Sequence, residues 1–241
     1  MERFANRDVC DITIVDYVTG KPVMYIDYAN ANSTELTGEA VYAYGGHNHV
    51  RRVTFQGERA GTLTLETQIQ TFELYQLATG GVLKTEANFI QREKLTSVGK
   101  KLTLTATPID GSVNVYKLAE DCEKDKDLQG VTVSNTTVSL PADAEDGEYV
   151  VYYVKALDDV KALSISTKDF PTDVRIYGET FMKTETSDIV AYKMIAWKAA
   201  AQPNANWGFS NTGDPATLTI TFDLMPDTKN DDRILDLIME K

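Results

Sequence analysis

His47 and His49 are the only histidines of the chain, two positions apart in Gly45-Gly46-His47-Asn48-His49. Two imidazoles at that spacing could ligate a metal from one face of a strand, but a closed site needs further ligands. No cysteine or carboxylate cluster adjoins them, so an exposed loop pair is expected, with no metal. The segment that follows, Arg51-Arg52-Val53-Thr54-Phe55-Gln56-Gly57-Glu58-Arg59, is the local charge reversal of note. It reads either as a contact surface for an acidic patch on another copy or as an ordinary exposed strand face. Stacking aromatics are not interleaved with the arginines, which counts against a single-stranded nucleic-acid groove.

Other chemistry is sparse. Ser187 and Ser210 have no sequence context that marks a nucleophile, and Gly57 and Gly61 do not build a phosphate cradle. The run Glu120 to Asp127 mixes carboxylates with Lys124 and Lys126 and reads as a solvated loop. Asp227–Asp232 lacks the glycine and terminal glutamate of a helix-loop-helix calcium site. Trp197 and Trp207 could stack on a sugar, although core or interface is the plainer role. The expectation is a protein with no catalytic residues and no cofactor.

The whole chain sets the frame for those residues. Its 241 residues carry 36 acidic against 24 basic side chains, a net charge of −12, so the broad basic footprint of a phosphate-gripping protein is absent. Acidity remains compatible with a conduit past which DNA slides. A 42% hydrophobic content fits an ordinary soluble core. Cys10 and Cys122 are expected to be unpaired thiols in a reducing compartment. The start of the chain shows no signal-peptide core, and no apolar run approaches the ~20 residues that span a bilayer. No membrane role is expected.

Period-2 alternation dominates and predicts an all-β, β-dominated protein. Thr217-Leu218-Thr219-Ile220-Thr221-Phe222-Asp223-Leu224 sets four apolar side chains on one face and three threonines with Asp223 on the other. Thr62–Leu65 and Leu102–Thr107 repeat the pattern. Further strands are expected at Val9–Val18, Pro22–Tyr28, Glu39–Tyr44, Arg52–Gln56, Val113–Leu118, Val131–Val133, Val138–Leu140, Tyr149–Ala156, Leu163–Ser166, Val174–Thr180 and Ile189–Trp197. Asp110-Gly111 and Asp146-Gly147 suit type I′ turns. One helix of about three turns is expected after Thr67, capped by that residue with Gln70 three positions on, striped by Ile69, Phe72, Leu74 and Leu77, and stopped at Gly80-Gly81. Asp231–Glu240 fits a short helix or a last strand, with the strand preferred.

Composition shifts near residues 99 and 170. The expected organisation is a core formed by 1–98 and 170–241, with 99–169 as a β-rich insertion whose short, evenly spaced strands have an immunoglobulin-like cadence.

The order of elements then resembles a known family. Thr34-Glu35-Leu36-Thr37-Gly38-Glu39-Ala40-Val41-Tyr42-Ala43-Tyr44-Gly45-Gly46 is followed by Ala60–Thr67, the helix with Phe72-Glu73-Leu74, the Gly80-Gly81 stop, Phe170–Thr180, and Gly213-Asp214-Pro215-Ala216 entering the last long strand. Together these resemble the major tail tube proteins of tailed bacteriophages over roughly residues 8–90 and 170–241. The resemblance implies a β-sandwich with a flanking helix and extended arms, a non-enzymatic virion protein assembled in the host cytoplasm, and hexameric rings stacked into a tube. It also implies partners among sheath, baseplate or terminator proteins, with DNA passing through the lumen without sequence-specific binding. By position in the family pattern, the loop around Tyr42–Arg52 reaches a neighbouring ring, so Tyr44, Gly45, Gly46, His47, Asn48, His49, Arg51 and Arg52 are the expected inter-subunit contacts. The middle region, longer than in the simplest members, would decorate the tube exterior or belong to the sandwich. The competing readings are a capsid decoration or immunoglobulin-like adhesion protein, and a carbohydrate-active enzyme on a β scaffold.

Overall fold

The computed structural model describes residues 3–209, 211 and 213–240. Among these lie fifteen strands and one α-helix. In chain order the strands are β1 (Phe4–Ala5), β2 (Asp11–Asp16), β3 (Pro22–Ile26), β4 (Ala31–Gly45), β5 (Val50–Thr67), then α1 (Phe72–Thr79), then β6 (Val82–Thr96), β7 (Lys101–Thr103), β8 (Asn114–Lys117), β9 (Thr132–Ser134) and β10 (Thr137–Ser139). The chain finishes with β11 (Glu148–Ser164), β12 (Val174–Thr184), β13 (Ile189–Ala201), β14 (Leu218–Met225) and β15 (Leu235–Met239). The all-β expectation holds, and the ambiguous C-terminal segment is a strand.

The chain divides into two compact units. The first takes the chain up to Leu83 and again from Leu163; the second is Lys84–Ala162. The second unit therefore starts ahead of the compositional shift near residue 99, because the long β6 runs into it.

In the first unit one sheet has the order β3-β2-β12-β13-β14-β5-β4, with β1 on β12 and β15 on β13. The sheet folds over itself: the Thr34 hydroxyl of β4 donates to Met194 Sδ of β13 at 3.4 Å, and the Cys10 amide just before β2 donates to Asn32 Oδ1. Inward positions from several strands, among them Ile12, Ile14, Leu63, Leu65, Ile176, Ala196, Ile220 and Phe222, make one buried core. Strict alternation along β12 and β14 is what lets each strand give one face to that core.

The helix differs from its sequence reading. Its N-cap is Thr71, whose hydroxyl accepts from the Leu74 amide at 3.1 Å. Thr67 is instead the buried last residue of β5, and its hydroxyl donates to the Tyr28 carbonyl. Gln70 makes no capping box and donates to the Ala216 carbonyl. Of the expected stripe, Leu74 is buried and Leu77 packs on the core, while Ile69 lies before the helix and is exposed. Gly80 ends the helix in the left-handed region at φ 73°.

The second unit packs the sheet β7-β10-β9 on the sheet β6-β11-β8 around Leu102, Val115, Val138, Val151 and Tyr153. Neither Asp-Gly pair makes a type I′ turn. At Asp110-Gly111 only Gly111 has positive φ, and Gly147 has none because Asp146 is used otherwise. Its carboxylate accepts from Ser97 Oγ at 2.9 Å and from the amides of Gly99 and Lys100 at 3.1 and 2.8 Å, pinning the 97–100 turn.

Candidate functional site

The hairpin β4–β5 is the feature of the first unit that its core does not explain. It is paired in register from Ala31↔Glu66 to Gly45↔Val50. Only its root is held on a second side, where β14 pairs with Gly61–Thr67 of β5. Beyond Gly61 neither outer edge is paired among the described residues, and from Gly38 to the tip the ribbon projects roughly 25 Å at the rise of an extended strand. A free two-stranded ribbon is marginal in water. An unprotected edge of this length is also a template for pairing with another chain.

Two bulges on β5 shape the arm, one between the Gly38 and Ala40 pairs and one between the Ala43 and Tyr44 pairs. The second leaves Arg52 as the extra residue. At the end, Gly46-His47-Asn48-His49 is a tight turn closed by the His49 amide donating to the Gly46 carbonyl at 3.2 Å. Gly46 has φ 87° and His49 has φ 45°. The glycines also make room for Arg52: its Nε donates to the Gly45 carbonyl at 3.5 Å, and a Cβ on Gly46 would stand 3.3 Å from its guanidinium. The Arg51 guanidinium lies 3.3 Å above the centre of the Tyr42 ring. The tip is therefore a preorganised cationic knob that also carries Tyr44 and Val50, both exposed. The two histidines stand in the turn, and among the described residues no group of three or more His, Cys, Asp or Glu could hold a metal. Ser210 lies outside the described residues.

The arm's faces differ. Cross-strand pairs Val41↔Phe55 and Ala43↔Val53 share one face, and Val41, Val53 and Phe55 are 65%, 48% and 60% exposed, an apolar strip left open among the described residues. Nearer the root the same side of the sheet is polar. There Ala31, Glu66 and Thr219 form one cross-strand row, Ser33, Thr64 and Thr221 the next, and Glu35, Thr62 and Asp223 a third. This grid holds hydroxyls and carboxylates and no cation. Alternation announced its threonines one strand at a time; the cross-strand rows needed the register.

The described residues thus give an all-β body with an exposed two-stranded arm, an apolar strip on that arm and a polar, anionic face at its root. The chain belongs to the YomU/Tube protein family, whose model matches residues 6–235. It is thereby a phage tail tube protein, a structural component of the virion. No curated protein matches the chain. No helix among the described residues is long and apolar enough to cross a membrane.

Proposed function

We propose that copies of this chain close into rings, hexameric as in the tubes it resembles, and that the rings stack into a tail tube through which DNA is ejected into the host. The observation that carries this is the pair of unpaired edges on the β4–β5 arm. Arms set side by side in the same sense bring β5 of one copy against β4 of the next, antiparallel, so every edge is satisfied when the ring closes. Residues Tyr44 to Arg52 at the tip then contact the neighbouring ring. The grid of Ser33, Glu35, Thr64, Glu66, Thr221 and Asp223 would face the bore, where carboxylates without cations keep phosphate from sticking.

The second unit is, in this reading, an immunoglobulin-like module decorating the outside. Its strand order supports that: β7-β10-β9 and β11-β8 correspond to B-E-D and F-C of such a sandwich. So does buried Tyr149 at the start of β11, whose hydroxyl donates back to the Glu145 carbonyl at 2.5 Å, a tyrosine corner. Assembly takes place in the host cytoplasm, and sheath, baseplate or terminator proteins meet the ends or outer wall.

Negative-stain electron microscopy of the purified chain at high concentration tests the proposal. Rings or tubes with a central hole are expected. Monomers that persist at all concentrations and bind glycans would instead support an adhesion module.

A further inference from the structure

Two features of the first unit are incomplete in a single copy, and they stand toward opposite ends of β13. One is the loop from β13 to β14, residues 202–217, which holds no strand or helix among the described residues. It is pinned on both sides of Phe209. The Trp207 ring meets the Tyr75 ring of α1 edge-on at 5.6 Å, and the Ala216 carbonyl accepts from Gln70 Nε2 at 2.8 Å. Between these holds Phe209 is 97% exposed, more than any other large apolar side chain among the described residues. The other feature is a recess of about 460 Å³ near the start of β13, lined by Tyr192 and Met194 of that strand, Met182 of β12, and Leu36 and Leu237 at the rim. Thr180 also lines it, although only 3% exposed, and its hydroxyl has no hydrogen-bond partner among the described residues. The Thr34 hydroxyl on the β4 side donates only to a thioether, Met194 Sδ, a weak acceptor. Buried hydroxyls normally find a partner, so this recess is built for an occupant that brings one.

We infer that the recess receives Phe209 of a second copy, resting on the proposal that copies stack. β13 runs roughly 23 Å from Met194 to Ala201, where the loop departs. A copy displaced head-to-tail along that strand therefore sets its 202–217 loop over the recess of its neighbour. A phenyl ring fits a space of about 150 Å³ and is easily housed. Leu36 and Leu237 close on the ring, while the loop main chain, outside any strand ladder, gives Thr180 the partner it lacks. The match is one of apolar surface and hydrogen bonding, not of charge: the recess has one charged residue, Asp8, and the loop one, Asp214. The rival occupant in a stack is Phe55 of the arm. It is disfavoured because Leu36 belongs to the root of that arm, so the arm of a head-to-tail copy extends away from its neighbour's recess.

Cysteine pairing tests the fit, with native Cys10 as reporter because it lines the recess. In a Cys122→Ser background, Gly208→Cys puts a thiol beside Phe209, where an added Cβ meets nothing closer than Ala216 at 3.9 Å. The assembled protein is oxidised with copper phenanthroline and run on a non-reducing gel. A ladder of linked chains is expected, since every copy carries both partners, and it should vanish when Cys10→Ser is added. Tubes that give no ladder, or a ladder that survives Cys10→Ser, overturn the fit while leaving the tube intact. Absence of rings and tubes from the unsubstituted chain overturns the stacking proposal and this contact with it. As a second measurement, Phe209→Ser should leave the denaturation midpoint of the monomer in place and raise the critical concentration for tubes at least tenfold. Thr180→Val removes only the unpaired hydroxyl, so the monomer should be as stable or more so, while tubes need about fivefold more protein. An unchanged critical concentration for Phe209→Ser overturns the proposal, and for Thr180→Val it overturns the hydrogen bond to the loop.

Discussion

The Tyr17 hydroxyl donates to Asp227 Oδ1 at 2.6 Å, joining positions 210 residues apart. Asp227 is fully buried at the start of the turn between β14 and β15. It also accepts from Arg175 at 3.0 Å, from the Asn230 side chain at 2.6 Å and from the Lys229 amide at 3.0 Å. Led by the Tyr17 hydrogen bond, these donors hold its pKa down at about 2.

A carboxyl depressed on folding contributes stability that is complete above its unfolded pKa, about 4, and is lost as pH falls through about 2. Urea midpoints of the native chain should therefore decline over that window. Asp227→Asn should be less stable at neutral pH and lose this part of the decline. Parallel pH curves for the two proteins would remove Asp227 from the account.

Gly80→Ala combines a left-handed backbone with a side chain driven into the Phe170 carbonyl. Strain of this kind costs roughly 1–3 kcal/mol before the clash is counted. The expected result is a clear drop in the denaturation midpoint, whereas alanine at Gly111, which has open space around it, should lose less.

Val41→Thr with Phe55→Thr alters only exposed positions of the arm and leaves β-branched side chains on the strands. Monomer stability should stay within about 0.5 kcal/mol, yet assembly should fail, because covering each such side chain is worth about 1.5–3 kcal/mol. Thermal denaturation beside electron microscopy reads both halves; tubes of normal length would show that the apolar strip is not an interface.

Lysines in place of Glu35, Glu66 and Asp223 reverse the sign of the anionic grid. Tubes of this triple variant should retain DNA in a gel-shift assay at low salt and release it as salt rises. Tubes of the native chain should not retain DNA under either condition.

Much of this was legible in alternation. β12, β13 and β14 each have one buried face, so their apolar residues fall every second position and the strands read themselves. β6 did not, since ten of the fifteen positions of Val82–Thr96 are exposed and its one buried residue is Glu93, so no apolar face marks the strand. The arm was seen in pieces for the same reason: Glu39–Tyr44 and Arg52–Gln56 stood out, but Ala31 to Thr67 as one hairpin could not be read where neither face is buried. Thr71 and not Thr67 caps the helix: two threonines four apart offer equal caps locally, and the burial of Thr67 with its hydroxyl on the Tyr28 carbonyl decides between them. Glycine and charge mark Gly45 to Arg52 in the sequence, but their contact role comes from the family resemblance, whereas the cross-strand rows of the polar grid exist only in three dimensions.

Gly81 sits where β6 is about to leave the first unit, and a Cβ there would stand 2.9 Å from the Leu163 side chain and from the Ser164 carbonyl, where the chain returns. Exit and re-entry are thus a single seam. A gene rearrangement that cuts at this seam can delete the second unit, exchange it or add another without rethreading the nine-stranded sheet. Selection on whatever that unit touches can then run on its own clock, while the sheet that carries the arm stays under the stricter rule that it must match itself.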